Sequence, residues 1–123
     1  MSNYQKRKII QKEEILQTMQ AIAMIKNNSE RIRNKPYFPK RMFKVMMTCF
    51  FICRTVLCNK EIIEPYFEKR ELRDFMKYPI PFISVISFKS RRLSNIMLYM
   101  IGVLPPSLSI IVMRIMIKIN NIL

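Results

Sequence analysis

From Ile96 to Met113 eighteen residues pass without a charge, and Pro105 and Pro106 stand inside that run. Coiled into an α-helix, such a run is about 27 Å long, close to the roughly 30 Å of bilayer hydrocarbon. Arg91 and Arg92 flank one end, Arg114 and Lys118 the other, where long cationic side chains can reach lipid headgroups. The prolines remove two backbone donors and break a helix in water, at about 3 kcal/mol or more for the first alone. Membrane helices tolerate proline better where hydroxyls take up the freed carbonyls, and Ser107 and Ser109 stand nearby. Three arrangements compete: a kinked span, a re-entrant pair bent at Pro105-Pro106, and a core hairpin of two helices. The expectation is the kinked span.

Beyond the prolines Ser107, Arg114 and Asn121 recur every seven residues, with Lys118 between the last two. On a helix they form a narrow polar stripe, and Ile110, Ile111, Val112, Ile115, Ile117, Ile119 and Ile122 fill the rest. That pattern also suits a helix lying in a bilayer interface.

A second apolar run, residues 45–58, cannot span. Its uninterrupted part between Lys44 and Arg54 is nine residues, against the roughly 20 a crossing needs. It reads as a buried or interfacial helix. Cys49, Cys53 and Cys58 all lie in it. Three thiols without His or a fourth Cys do not close a zinc tetrahedron within one chain, and an odd count argues against a disulfide framework. They read as small buried hydrophobes, with acylation of membrane-adjacent thiols as the functional alternative. A single C-terminal span leaves 20 of the 22 basic residues on one side. The positive-inside bias makes that side the cytosol, a tail-anchored arrangement.

Upstream, Ser2 to Gln5 has the form of a capping box. Ile9, Leu16, Met19 and Ala23, with Ile15 and Ile22 beside them, form an apolar stripe of helical period. The expectation is an amphipathic helix from about residue 3 to about residue 26. Residues 31–44 follow, with six cations, Arg31, Arg33, Lys35, Lys40, Arg41 and Lys44, and no acid. Pro36 and Pro39 predict an extended middle. Tyr37, Phe38 and Phe43 interleave with the charges, so the segment can follow phosphates with rings stacked on bases, or lie on an anionic bilayer. A solvated linker is the plain alternative.

Residues 59–77 hold Glu61, Glu64, Glu68, Glu71 and Asp74, five of the eight acids. Pro65 suits a first helical turn, Arg70 and Asp74 an i,i+4 pair, and Leu72, Phe75 and Met76 a short apolar patch. Pro79 and Pro81 end that helix. Phe82 to Phe88 has β-type residues in loose alternation, and an extended connector or short buried element is expected.

The net charge is +14, but Phe, Tyr, Met, Ile, Asn and Lys, all spelled by AT-rich codons, supply 64 of the 123 residues. Arrangement therefore carries more weight than bulk composition. No His, one Asp and one glycine (Gly102) remove the commonest general base, the commonest metal ligand and the phosphate-cradling loop. The chain reads as mostly α, in three stretches: 1–44, 45–95 and 96–123. No enzyme activity, cofactor or metal site is expected. The expected function is a small membrane-anchored adaptor, largely cytosolic, touching anionic lipid and a protein partner. The alternatives are a basic nucleic-acid-binding or packaging protein and a poorly folded chain without defined activity.

Overall fold

The computed structural model describes residues 3–58, 67–89 and 91–122, and within them six α-helices and no strand. A mostly helical chain is what the periodicities call for. The capping-box Ser2 and the Glu61–Pro65 helix start lie outside the described residues.

Helix α1 is Asn3–Asn28. Ile22 is buried, and Ile15, Leu16 and Met19 pack half-buried on the core, which places this part of the expected apolar stripe inward; the side chain of Ile9 lies outside those described. A 3-10 turn, Ser29–Ile32, follows. Helix α2, Phe38–Cys58, is the central element, burying Phe38, Met42, Met46, Cys49, Phe50, Cys53, Val56 and Leu57. Spacings of three and four place these on one side. Burying each large apolar side chain is worth about 1.5–3 kcal/mol.

The extended middle expected of residues 31–44 from Pro36 and Pro39 is replaced by turns: the 3-10 turn runs to Ile32, and Lys35 N donates to the Ile32 carbonyl at 2.9 Å and Phe38 N to the Lys35 carbonyl at 3.1 Å. Helix begins at Phe38, with Pro39 in its first turn, where a missing N–H breaks no intrahelical bond. Lys40, Arg41 and Lys44 are therefore helical. Helix α3 is Lys69–Phe75, with Leu72, Phe75 and Met76 buried and Arg70 Nε 4.0 Å from Asp74. The β-type stretch after Pro81 is a five-residue helix, α4, Phe82–Ile86. Pro81 sits at its N-cap with φ −71°, and its carbonyl accepts from the amides of Ser84 and Val85. Local turn chemistry outweighs the β preference of Ile and Val.

The kinked single span is the main correction. Residues 96–113 divide between α5, Arg92–Val103, and α6, Pro106–Ile122, with Leu104 extended at ψ 157°. Among the described residues no helix is long and apolar enough to cross a membrane. The residue before a proline is pushed out of the helical region, and here two prolines follow in succession. The chain turns and packs α6 on α5, α3 and α2. Of the three arrangements weighed, this is the helix pair within a core. Leu98 and Ile101 from α5 meet Ile110, Met113 and Ile117 from α6 in one cluster with the buried side of α2.

Candidate phosphate-binding groove

The six cations expected to act together separate into two groups. Lys40, Arg41 and Lys44 stand on the first two turns of α2. With Tyr37, Ile25 and Val45 they line a surface hollow of about 510 Å³. A smaller one of about 200 Å³ shares Ile25 and Arg41 and adds Asn28, Ser29 and Ile32. Together they make a groove between the end of α1 and the start of α2. Arg31, Arg33 and Lys35 lie on the connection and line neither hollow. Arg33 donates to Ser84 Oγ at 3.1 Å, tying the connection to α4.

The rings separate as well. Tyr37 is 52% exposed at the groove. Phe38 is buried, edge-on to Phe88 with centroids 6.0 Å apart. Phe43 is half-buried beneath the Arg91 guanidinium, which lies 5.6 Å from its centroid. One ring of three is left for a ligand.

The groove's electrostatics follow from its position. The N-terminal end of a helix carries the equivalent of about half a positive charge, from amides with no intrahelical partner. Three cations in the same two turns add to that field. The walls from Ile25 and Val45 are apolar, so the hollow offers positive charge, one phenol ring and an apolar lining together. Phosphate attached to something flat or greasy fits that chemistry.

The expected membrane flanks hold other places. Arg91 is the N-cap of α5 in the left-handed conformation, φ 54°, and its carbonyl accepts from Asn95 N at 2.9 Å and Asn95 Nδ2 at 3.2 Å. An L-residue there costs about 1–2 kcal/mol, offset by those bonds and by the ring of Phe43. Arg92 Nε reaches the Phe88 carbonyl at 3.4 Å. Arg114 is half-buried on α6 and Lys118 exposed. Of the three thiols only Cys58 is exposed. Burial pushes the Cys49 thiol up to about 11, Lys26 pulling the other way, and raises Cys53 further. Acylation therefore has one accessible acceptor.

Sequence periodicity did not disclose a buried lysine. Lys26 lies in the last turn of α1, 7% exposed, and its Nζ donates to the Phe75 carbonyl at 2.7 Å. That carbonyl ends α3, where the dipole is negative and no intrahelical donor remains. Burial lowers the Lys26 pKa; Cys49 and Cys53 act in the opposite direction. Beside it a hollow of about 330 Å³ is lined by Ala23, Asn27, Asp74, Phe75, Lys77, Tyr78 and Pro79. Among the described residues no three of His, Cys, Asp and Glu are placed to hold a metal ion. Comparison with protein-family models, curated proteins and solved structures finds no significant match.

Proposed function

We propose that this chain is a small non-enzymatic binding protein that attaches to an anionic lipid surface, with the groove between α1 and α2 as its phosphate contact. The observation that carries this is the meeting of Lys40, Arg41 and Lys44 with the exposed Tyr37 around one apolar-walled hollow. Attachment is peripheral, since the uncharged run at the C-terminal end is folded into a helix pair. Nucleic acid offers the same phosphate chemistry. A strand binder, however, stacks successive bases on successive rings, and here Phe38 is buried and Phe43 lies under Arg91. One accessible ring with apolar walls favours a headgroup at the edge of a bilayer.

The test is sedimentation with phosphatidylcholine vesicles, with and without phosphatidylserine, at low and physiological salt. Binding is expected only with the anionic lipid and is weakened by salt. At about 1 kcal/mol per cation near such a surface, Lys40→Gln, Arg41→Gln and Lys44→Gln together weaken it about a hundredfold. Single-stranded DNA is the control ligand. If the triple variant loses DNA binding and keeps its vesicle affinity, the groove belongs to nucleic acid.

A further inference from the structure

We infer that the outward side of α6 is a membrane-docking face: the helix lies in the plane of an anionic bilayer, with Leu108, Ile111, Ile115 and Ile119 set between headgroups and acyl chains. This adds a second contact to the lipid attachment proposed above and rests on that reading for its partner.

The four residues follow one another at spacings of three, four and four, so they share one side of the helix. They are 49%, 52%, 51% and 44% exposed. On the opposite side Ser109, Ile110, Met113 and Ile117 are buried in the core. The helix is therefore apolar around most of its circumference, and the fold covers one side only. A helix apolar all round normally finds cover on every side. The uncovered stripe runs about 16 Å, from Leu108 to Ile119. Along its edge stand Ser107, Arg114 and Lys118, the first and last exposed and Arg114 half-buried.

Charge decides between occupants. A second copy laid face to face would bring fourteen net positive charges against another fourteen. An anionic bilayer answers the same charge with attraction, which falls off within a Debye length and so acts on a helix in contact with headgroups. Lys118 beside the apolar stripe is placed to remain among headgroups while the isoleucines sink. No described helix is long and apolar enough to cross, and an in-plane helix buries its apolar side without crossing.

The chain has no tryptophan, so one introduced indole reports the contact without background. Ile115→Trp is expected to shift its emission to the blue on adding phosphatidylserine-containing vesicles, and to be quenched by lipids brominated on the acyl chain. Leu108→Trp, at the far end of the stripe, reports the same contact should the first variant misfold. Ile111→Gln with Ile119→Gln, both at exposed positions, should leave the helical circular dichroism unchanged. The pair is expected to weaken vesicle binding about tenfold or more. Co-sedimentation with vesicles but unshifted emission overturns this docking face and leaves the groove standing. A blue shift without lipid that grows with protein concentration makes a second copy the occupant and also overturns it. A reporter whose shift in the Lys40→Gln, Arg41→Gln, Lys44→Gln background needs no more anionic lipid than without those changes removes the groove and keeps α6.

Discussion

Gly102 is the chain's one glycine, and α5 could not approach the end of α3 without it. A Cβ built there lies 2.8 Å from the Met76 carbonyl oxygen and 2.8 Å from Lys77 Cα. Both obstacles are backbone and cannot swing aside as a side chain would. The need here is for space, since its φ is not in the left-handed region. Gly102→Ala gains helix propensity of about 1 kcal/mol. The forced separation of two buried elements costs about 1–3 kcal/mol, and more where backbone must move. The expected net result is a lower midpoint in urea denaturation, with helical content retained below the transition. A rise in the midpoint would show that α5 can retreat from Met76 without loss.

At the scale of elements the turn between α5 and α6 shows what sequence could tell and what it could not. Eighteen uncharged residues fit a span and a buried helix pair equally well in length and hydropathy. The deciding facts were the hydrogen-bond partners of particular carbonyls. In a continuous helix the Ile101 carbonyl would accept from the amide of residue 105, which is proline and has none. Ser109 fills that place from the next helix, its Oγ donating to the Ile101 oxygen at 2.5 Å. The hydroxyl expected to rescue a kinked span instead joins two separate helices. Elsewhere the inward side of α1, the buried thiols of α2 and the Arg70–Asp74 pair were legible because each depends on local spacing. The basic groove was legible only in its cations. Ile25 comes from a different helix, and the loss of Phe38 and Phe43 as ligand rings depends on Phe88 and Arg91, far along the chain. Ser109→Ala removes the one donor shown to reach the Ile101 carbonyl and leaves a buried acceptor unsatisfied, at about 1–3 kcal/mol. The same substitution at exposed Ser107 should change stability by less than about 0.5 kcal/mol. Thermal unfolding of the two variants checks the contrast.

Over the whole molecule, stability depends on keeping four ionisable groups neutral or well placed inside one core. Burial raises the Cys49 thiol from its ordinary 9.0 to about 11 and raises Cys53 and the Tyr78 phenol above their ordinary values. Tyr78 also donates to buried Asn95 Oδ1 at 2.9 Å, a bond that requires the protonated phenol. In the unfolded chain these acids release protons earlier than in the fold, so between the two values the folded state holds more protons. Stability then falls as pH rises. Lys26 works the other way, because burial lowers its pKa below the ordinary 10.5. Unfolding there takes up a proton, and stability rises with pH up to that value. Three raised acids oppose one lowered base, so the net expectation is a loss of stability that begins near pH 9 and deepens through about 11. Cys49 alone contributes about 2–3 kcal/mol of it. Urea midpoints measured across that range give the slope. Cys53→Ala should flatten it by removing one raised acid, whatever its effect on stability at neutral pH. Lys26→Met should steepen it, since the one opposing group is gone and Cys49 loses the cation that holds its thiol down. A midpoint that stays level from neutral pH to 11 would mean that these groups sit in contact with water, and that the core does not close over them.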